Sequence, residues 1–163
     1  MYSDEVIERV SRVHQLLIER GVTLATSESC TGGRIADLIT EVAGASKFFR
    51  GSVVAYHEDV KREVLGVKEK TIRQKGVVSE DTALQMARGV KELLRSHVGV
   101  STTGNLGPQA LEGKEVGLVY IGIALGDKVY TKKLLLKGNR EENKLMASLE
   151  ALEFLIEKLE ETL

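Results

Sequence analysis

The sequence is short of several residue types whose presence would indicate other classes of protein. Its 163 residues include one cysteine, Cys30, one proline, Pro108, and no tryptophan. A single cysteine excludes a disulfide within the chain and a multi-cysteine zinc site. One proline beside 16 glycines is unlike the mixed proline, glycine and serine composition of a disordered linker. We therefore predict one folded domain over residues 1–163.

Neither one sign of charge nor long apolar runs dominate the chain. Lysine and arginine number 23 and aspartate and glutamate 24, which gives a formal net charge of −1. This balance excludes a strongly basic protein that coats nucleic acid, and it argues against general adhesion to membranes. A small local basic pocket is still compatible with it. The apolar runs are short, and residues 1–20 lack the apolar core of a signal peptide. We expect a cytoplasmic protein that binds neither nucleic acid nor membrane.

Helix and strand patterns alternate along the chain. Apolar residues at helical spacing predict helices at 3–20, 35–41, 58–65, 68–75, 79–94 and 140–159. Apolar and β-branched runs predict strands at 22–27, 48–56, 98–103, 116–125 and 128–136. Gly126-Asp127 joins the last two strands as a hairpin, and Asn139 caps the last helix. This order predicts a three-layer α/β/α sandwich with a mixed, mostly parallel sheet.

Two glycine-rich loops follow predicted parallel strands, and ligands of open α/β sheets bind beyond the carboxyl ends of such strands. The first loop, residues 28–33, lies between a strand and a helix; the second is 104–108. Backbone N–H groups at a helix start can hold an oxyanion or a phosphate, and Ser29 stands where a nucleophile would meet them. The alternative is that Ser29 or Thr31 caps the helix and the glycines permit close packing.

A nucleophilic serine needs a base, and the sequence offers two candidates. Of its three histidines, His14 and His97 lie in or just after helices and are expected to be structural or surface residues. His57 follows Tyr56 at a strand end and is a possible base. Lys61 lies in the first turn of a short helix, where a positive charge is disfavoured and the neutral, basic amine is favoured. A solvated surface lysine is the alternative there, and spacing leaves the choice between His57 and Lys61 open.

Three other side chains near these loops each have two interpretations. Arg140 and the start of the last helix can share an anion such as a phosphate, or Arg140 can be solvated beside the first-turn acids Glu141 and Glu142. Cys30 is expected to be a small buried filler, since nothing nearby supports a thiol nucleophile. Tyr56 either orients a substrate or ends a strand.

The segment Thr26–Gly33 contains Glu-Ser-Cys-Thr-Gly-Gly, which resembles the hallmark of the CinA carboxy-terminal domain family. This is the nicotinamide-nucleotide amidase family, also called PncC. Further segments resemble the family's motifs in the same order, at residues 42–46, 56–61, 76–79, 86–89, 103–108, 116–117 and 138–140. The similarity runs from about Val22 to the end. We expect a stand-alone form, without the amino-terminal domain of long CinA proteins.

The resemblance implies a fold, an activity and a set of site residues. The family's fold is a three-layer α/β/α sandwich, and its activity is hydrolysis of nicotinamide mononucleotide to nicotinate mononucleotide and ammonia, a step in pyridine nucleotide salvage. The resemblance implies that Ser29 is the nucleophile and Lys61 its base, and that N–H groups of the Thr31–Gly33 turn bind the oxyanion. Arg140 would meet the phosphate. The substrate-binding residues expected on this basis are Thr31, Gly32, Gly33, Tyr56, Thr103, Gly104 and Arg140.

No metal or cofactor is implied, and the expected partners are the small nucleotide and further copies of the chain in a homo-oligomer. The sequence departs from the family's pattern in its second loop and in the last helix. Leu106 replaces an alanine, residues 109–113 replace a glycine-rich stretch that is one residue longer, Glu115 replaces a proline, and Lys144 replaces a second arginine of the last helix. These changes motivate an alternative function, a non-catalytic nucleotide-binding or regulatory module of the same fold.

Overall fold

Helices and strands alternate as the sequence predicts. The computed structural model describes residues 1–162. The strands are β1 (Leu24–Glu28), β2 (Phe49–Val54), β3 (Val98–Gly104), β4 (Leu118–Leu125) and β5 (Lys128–Leu135). The helices are α1 (Asp4–Arg20), α2 (Arg34–Glu41), α3 (Glu58–Glu63), α4 (Glu69–Lys75), α5 (Glu80–Leu93) and α6 (Arg140–Glu161). The sequence predicts only a turn at 44–46, whereas Ala45–Lys47 forms one turn of 3₁₀ helix.

The strands form a single five-stranded sheet in the order β2-β1-β3-β4-β5. β1 pairs in parallel with both β2 and β3, while β4 is antiparallel to both of its neighbours, β3 and β5. Every strand except β4 therefore points the same way, which confirms the predicted mixed, mostly parallel sheet. The carboxyl ends of β2, β1 and β3 meet at one edge of the sheet, and the two glycine-rich loops leave from that edge.

Helices cover both faces of the sheet. Successive residues of a strand face opposite sides, so Leu24 packs with α1, α2 and α6 in the larger core cluster, while Ala25 packs with Met86 and Val90 of α5. Two glycines let α5 lie close to the strands. A Cβ at Gly99 would stand 2.2 Å from the Ala87 carbonyl oxygen, and one at Gly122 would stand 2.5 Å from that of Ala83. These layers confirm the predicted sandwich.

The longest helix, α6, begins at a local sequence signal. The Asn139 side chain accepts the Glu142 N–H at 2.9 Å, and the Glu142 carboxylate accepts the Asn139 N–H at 2.9 Å, which forms a capping box. Arg140 is thereby held as the first helical residue. Across residues 1–162, no helix combines the length and the apolar character that a bilayer span requires.

Candidate active site

A cavity of about 660 Å³ opens at the edge of the sheet where β1, β2 and β3 end. The residues that line it come from the turn after β1, the segment from Tyr56 into α3, the segment before α5, the loop after β3 and the first turn of α6. Its walls include these residues singled out from the sequence: Ser29, Tyr56, Lys61, Thr103, Gly104 and Arg140. The position agrees with the general rule for open α/β sheets.

Lys61 lies directly against the hydroxyl of Ser29. The Ser29 N–H donates to the Thr102 carbonyl at 3.0 Å, so this residue continues the pairing of β1 with β3 and is held in place. Lys61 Nζ donates to Ser29 Oγ at 2.9 Å. The same nitrogen donates to the carbonyl oxygens of Ala55 at 2.8 Å and Tyr56 at 3.2 Å. The structure thus brings together two residues that are far apart in sequence.

The Lys61 amine is buried among neutral groups. Its side chain is only 1% exposed, so it is not the solvated lysine that the sequence left open. All three acceptors around Nζ are uncharged, and within residues 1–162 no carboxylate comes within 4.0 Å of it. Burial therefore lowers the pKa of Lys61 from 10.5 to about 8, although the more distant charges of Glu58 and Glu112 oppose this change. Such an amine can accept a proton near neutral pH.

A fully buried carboxylate, Glu28, holds the turn that carries the serine. One of its oxygens accepts the Thr31 hydroxyl at 2.7 Å and the Ile35 N–H at 2.9 Å. The other accepts the Ala36 N–H at 3.0 Å and the Ser52 hydroxyl at 3.3 Å. Glu28 thus satisfies two of the free N–H groups at the start of α2. Sequence reasoning missed this role, although Glu28 is the first residue of the hallmark hexapeptide.

The α2 cap differs from the alternative interpretation, in which Ser29 or Thr31 supplies it. The N-cap residue is Gly33, which has no side chain, and its φ of +102° follows a φ of +59° at Gly32. These two left-handed glycines turn the chain so that α2 starts above Glu28. Neither hydroxyl caps α2, because the turn through Gly32 and Gly33 directs the start of the helix towards the Glu28 carboxylate.

The predicted substrate-binding turn lies outside the cavity wall. Thr31 is buried, and its hydroxyl is hydrogen-bonded to Glu28 and, at 2.8 Å, to Thr102. The Gly32 N–H donates to the Ser29 carbonyl at 3.1 Å. Neither Thr31, Gly32 nor Gly33 is among the residues that line the cavity. These three residues form the turn after Ser29 and pack outside the cavity wall.

The second loop is shaped by close packing against β4. The Thr103 hydroxyl donates to the Val77 carbonyl at 2.6 Å, so Thr103 lines the cavity with its hydroxyl already engaged. A Cβ at Gly104 would stand 2.7 Å from the Leu118 carbonyl oxygen, which leaves no room for a larger residue. Leu106 is 2% exposed and belongs to the main core cluster.

Two asparagines that the sequence did not single out organise this loop. The Asn105 Oδ1 accepts the Gly107 N–H at 3.1 Å, while its buried Nδ2 has no hydrogen-bond acceptor within residues 1–162. Asn143 of α6 donates to the carbonyl oxygens of Leu106 at 3.1 Å and Gly138 at 3.0 Å. The loop is therefore tied to the helix that carries Arg140. Only the short Asn-x-Gly pattern of the loop could have indicated the first of these contacts.

Arg140 spans the cavity wall without an acidic partner. Its Nη1 donates to the Gly107 carbonyl at 2.6 Å, and its Nη2 donates to the Tyr56 hydroxyl at 3.0 Å. Tyr56 is 62% exposed. Its hydrogen bond to Arg140 gives it a contact beyond the alternative that it only ends a strand. No carboxylate pairs with the Arg140 guanidinium anywhere in the described residues 1–162. It retains N–H donors and a positive charge for an anion.

Comparison with known proteins gives the family. The model of the CinA C-terminal domain matches residues 7–159. This chain belongs to the CinA C-terminal domain family. A protein of Caldanaerobacter subterraneus subsp. tengcongensis, provisionally named a competence-damage inducible protein, is 48% identical over 158 residues. That alignment covers 96% of this chain but 38% of the relative, so the chain spans well under half the length of this relative.

Solved CinA structures have the same fold. A CinA superfamily protein from Klebsiella pneumoniae superposes with a TM-score of 0.93 at 30% identity, covering 96% of this chain and 98% of that one. The competence/damage inducible protein CihA from Agrobacterium tumefaciens also gives 0.93, at 35% identity, covering 98% of each chain. The family resemblance read from the ordered motifs is thereby confirmed.

The stretch in which this CinA domain departs from the family's pattern is firmly anchored. The Glu112 carboxylate accepts the N–H groups of Val77 at 2.9 Å and Val78 at 3.1 Å. Lys114 Nζ donates to the carbonyl oxygens of Lys75 at 2.6 Å and Val78 at 2.5 Å. These contacts hold the loop as one wall of the cavity. Lys144, the replacement in α6, places its Nζ 3.2 Å from the position that a Cβ on Gly32 would occupy.

The three histidines of this CinA domain form hydrogen bonds with groups other than Ser29. His57 caps α3, and its Nδ1 accepts the Asp59 N–H at 3.1 Å. It lines the cavity, but the residue in contact with Ser29 is Lys61. His14 is buried with its Nε2 2.8 Å from the Ile39 carbonyl oxygen, and His97 Nδ1 accepts the Thr23 N–H at 2.9 Å. Both therefore serve the structure, as expected.

Cys30 is next to the serine but is poorly suited to nucleophilic attack. Burial raises the pKa of its thiol to about 12, and a thiol attacks only as the thiolate. It belongs to the main core cluster, which agrees with the expected buried filler. Among residues 1–162, no group of three or more His, Cys, Asp or Glu side chains is arranged to hold a metal ion.

Proposed function

We propose that this CinA domain is an amidase that hydrolyses the carboxamide of nicotinamide mononucleotide to nicotinate mononucleotide and ammonia. The observation that supports this most is the 2.9 Å contact between Lys61 Nζ and Ser29 Oγ on the wall of a cavity. A serine hydroxyl becomes a useful nucleophile when an adjacent base takes its proton. Lys61, with a pKa of about 8, is such a base.

The reaction starts from the neutral Lys61 amine. Lys61 takes the proton of the Ser29 hydroxyl while Oγ attacks the carboxamide carbon, which gives a tetrahedral intermediate. The Lys61 ammonium then protonates the amide nitrogen, the carbon–nitrogen bond breaks and ammonia leaves. Water, deprotonated by Lys61, attacks the resulting ester, and Ser29 departs with the returned proton. The products are the carboxylate and the unchanged enzyme.

The tetrahedral oxyanion needs a hydrogen-bond donor on the cavity side of the serine. The resemblance implied the Thr31–Gly33 turn, but those residues lie outside the cavity wall, and the Gly32 N–H already donates to the Ser29 carbonyl. We assign this role to the N–H of Cys30, because Cys30 is the turn residue that directly follows the nucleophile and lines the cavity.

The nucleotide phosphate is assigned to Arg140. The guanidinium is on the cavity wall, its two contacts are to neutral oxygens, and it is the first residue of a long helix whose N-terminus favours anions. Tyr56, Thr103 and Gly104 form the adjoining wall. Substrate binding thus uses residues from three places in the chain: Tyr56 between β2 and α3, Thr103 and Gly104 at the end of β3, and Arg140 at the start of α6.

Ammonia release from nicotinamide mononucleotide tests the proposal. Native protein should release ammonia, and Ser29→Ala should abolish release while leaving the fold intact. Ser11→Ala is the matched control, because Ser11 is an exposed serine of α1, away from the cavity. Release from native protein no greater than that from Ser29→Ala would reject the amidase and favour the non-catalytic nucleotide-binding module.

A further inference from the structure

The cavity wall carries a carboxylate that has no ionic partner. Glu58 is the first residue of α3 and lines the cavity. The other acids of this helix, Asp59 and Glu63, approach Arg62 at 2.9 Å and 3.8 Å. Within residues 1–162, no lysine, arginine or histidine nitrogen comes within 4.0 Å of the Glu58 carboxylate, and its side chain makes no hydrogen bond. Glu58 is free to meet a ligand.

The same cavity carries an unpaired charge of the opposite sign. Arg140 contacts only the neutral oxygens of Gly107 and Tyr56. Although Glu58 and Arg140 share one cavity, they do not pair with each other in the described part of the chain. A ligand with one positive and one negative group can therefore pair with both Glu58 and Arg140, whereas a ligand with a single charge leaves one of these two side chains without a partner.

The charge of Glu58 also reaches the reacting centre. It is one of the carboxylates that oppose the lowering of the Lys61 pKa by burial. Because Lys61 Nζ touches Ser29 Oγ, a carboxamide group held at Ser29 lies within range of the same field. In nicotinamide mononucleotide, the ring that bears this carboxamide is a cationic pyridinium.

We infer that Glu58 is a specificity-determining residue that selects ligands with a cationic ring, while Arg140 holds their anionic group. This inference rests on the proposed function and specifies the substrate class of the same site, a pyridinium nucleotide with its ring in the oxidised state. A nucleotide with an uncharged ring keeps the attraction to Arg140 but loses that to Glu58. Glu58 is exposed to solvent, so its effect is moderate and sensitive to salt.

Equilibrium binding to Ser29→Ala protein tests this inference without turnover. Two ligands are compared at pH 8, nicotinamide mononucleotide and its reduced form, which shares the phosphate and the carboxamide but has an uncharged ring. At an ionic strength of about 0.02 M, Glu58→Gln should weaken the first ligand about threefold to fivefold and leave the second unchanged. At about 0.5 M salt, this difference should largely vanish.

Two control variants separate the two charges. Glu63→Gln makes the same change of charge on the same helix, but Glu63 does not line the cavity, so neither ligand should be affected. Arg140→Gln should weaken both ligands to the same degree, since both carry the phosphate.

Equal weakening of both nucleotides by Glu58→Gln, no weakening of either, or no binding of either to Ser29→Ala protein would each overturn the inference. Failure of the amidase proposal is recognised separately. Selective binding of the cationic form together with no ammonia release from native protein would support the role of Glu58 and reject catalysis.

Discussion

The pH dependence of ammonia release should follow the titration of Lys61. The fall in the pKa of Lys61 from 10.5 to about 8 raises the neutral fraction of the amine at pH 7 roughly 300-fold, to about one-tenth of the molecules. Only the neutral amine can take the Ser29 proton. We therefore expect kcat/KM to rise about tenfold between pH 6 and pH 7 and less than twofold between pH 8 and pH 9.

The curve should depend on the charges around Lys61 in a defined direction. Glu58 and Glu112 raise the Lys61 pKa, so Glu58→Gln should lower it and move the rise in activity to lower pH. Cys30, with its thiol pKa of about 12, stays protonated over this range. Lys61→Met should reduce kcat by about 10²–10⁴-fold, the usual contribution of a general base, and abolish the titration.

The assay is steady-state ammonia release between pH 6 and pH 9.5 at constant ionic strength. His57→Gln is the matched control, because His57 lines the same cavity but does not contact Ser29, so the titration should persist. A profile that is flat over this range, a rise centred near pH 10, or near-native turnover by Lys61→Met would refute the assignment of Lys61 as a buried base.

Three further outcomes follow from the geometry of the site. Glu28→Gln should lower the free energy of unfolding by about 2–3 kcal/mol, since the two helix N–H groups donate to different carboxylate oxygens and glutamine replaces one of these oxygens with an NH2 donor; an unchanged denaturant midpoint would contradict the role of Glu28 as cap. Cys30→Ala should keep kcat/KM within about threefold, because the thiol is protonated; a loss as large as that of Ser29→Ala would make Cys30 the nucleophile. Arg140→Gln should raise KM about tenfold or more with little change in kcat; a lower kcat at unchanged KM would place Arg140 elsewhere than at the phosphate.

The secondary structure could be predicted closely because its causes are local. The Gly126-Asp127 hairpin and the Asn139 cap depend on residues within one turn of each other, and both occur as predicted. The helices and strands follow from the spacing of apolar residues, which a sequence displays directly. Their order also implies the layers, since a strand–helix–strand connection returns to the same sheet.

The contacts around the turn that carries Ser29 could not be predicted in the same way. The direction of the turn after Ser29 depends on two left-handed glycines in succession, Gly32 and Gly33. A sequence motif shows that glycines are present but not where the following helix will point. For this reason the motif suggested that the turn lines the ligand site, whereas in the structure the turn lies outside the cavity wall and Glu28 accepts the N–H groups at the start of α2.

The sequence by itself determined the order of elements, the sheet edge at which the cavity lies, and the two candidates for a base, His57 and Lys61. The family resemblance favoured Lys61, and only the tertiary structure shows which of the two contacts Ser29. The start of α3 leaves His57 as an exposed cap and directs Lys61 inward to Ser29, which is 32 residues away in the chain. The pKa of Lys61 depends on the same packing, because burial is set by all the elements that exclude water from the amine and not by the residues beside it in sequence.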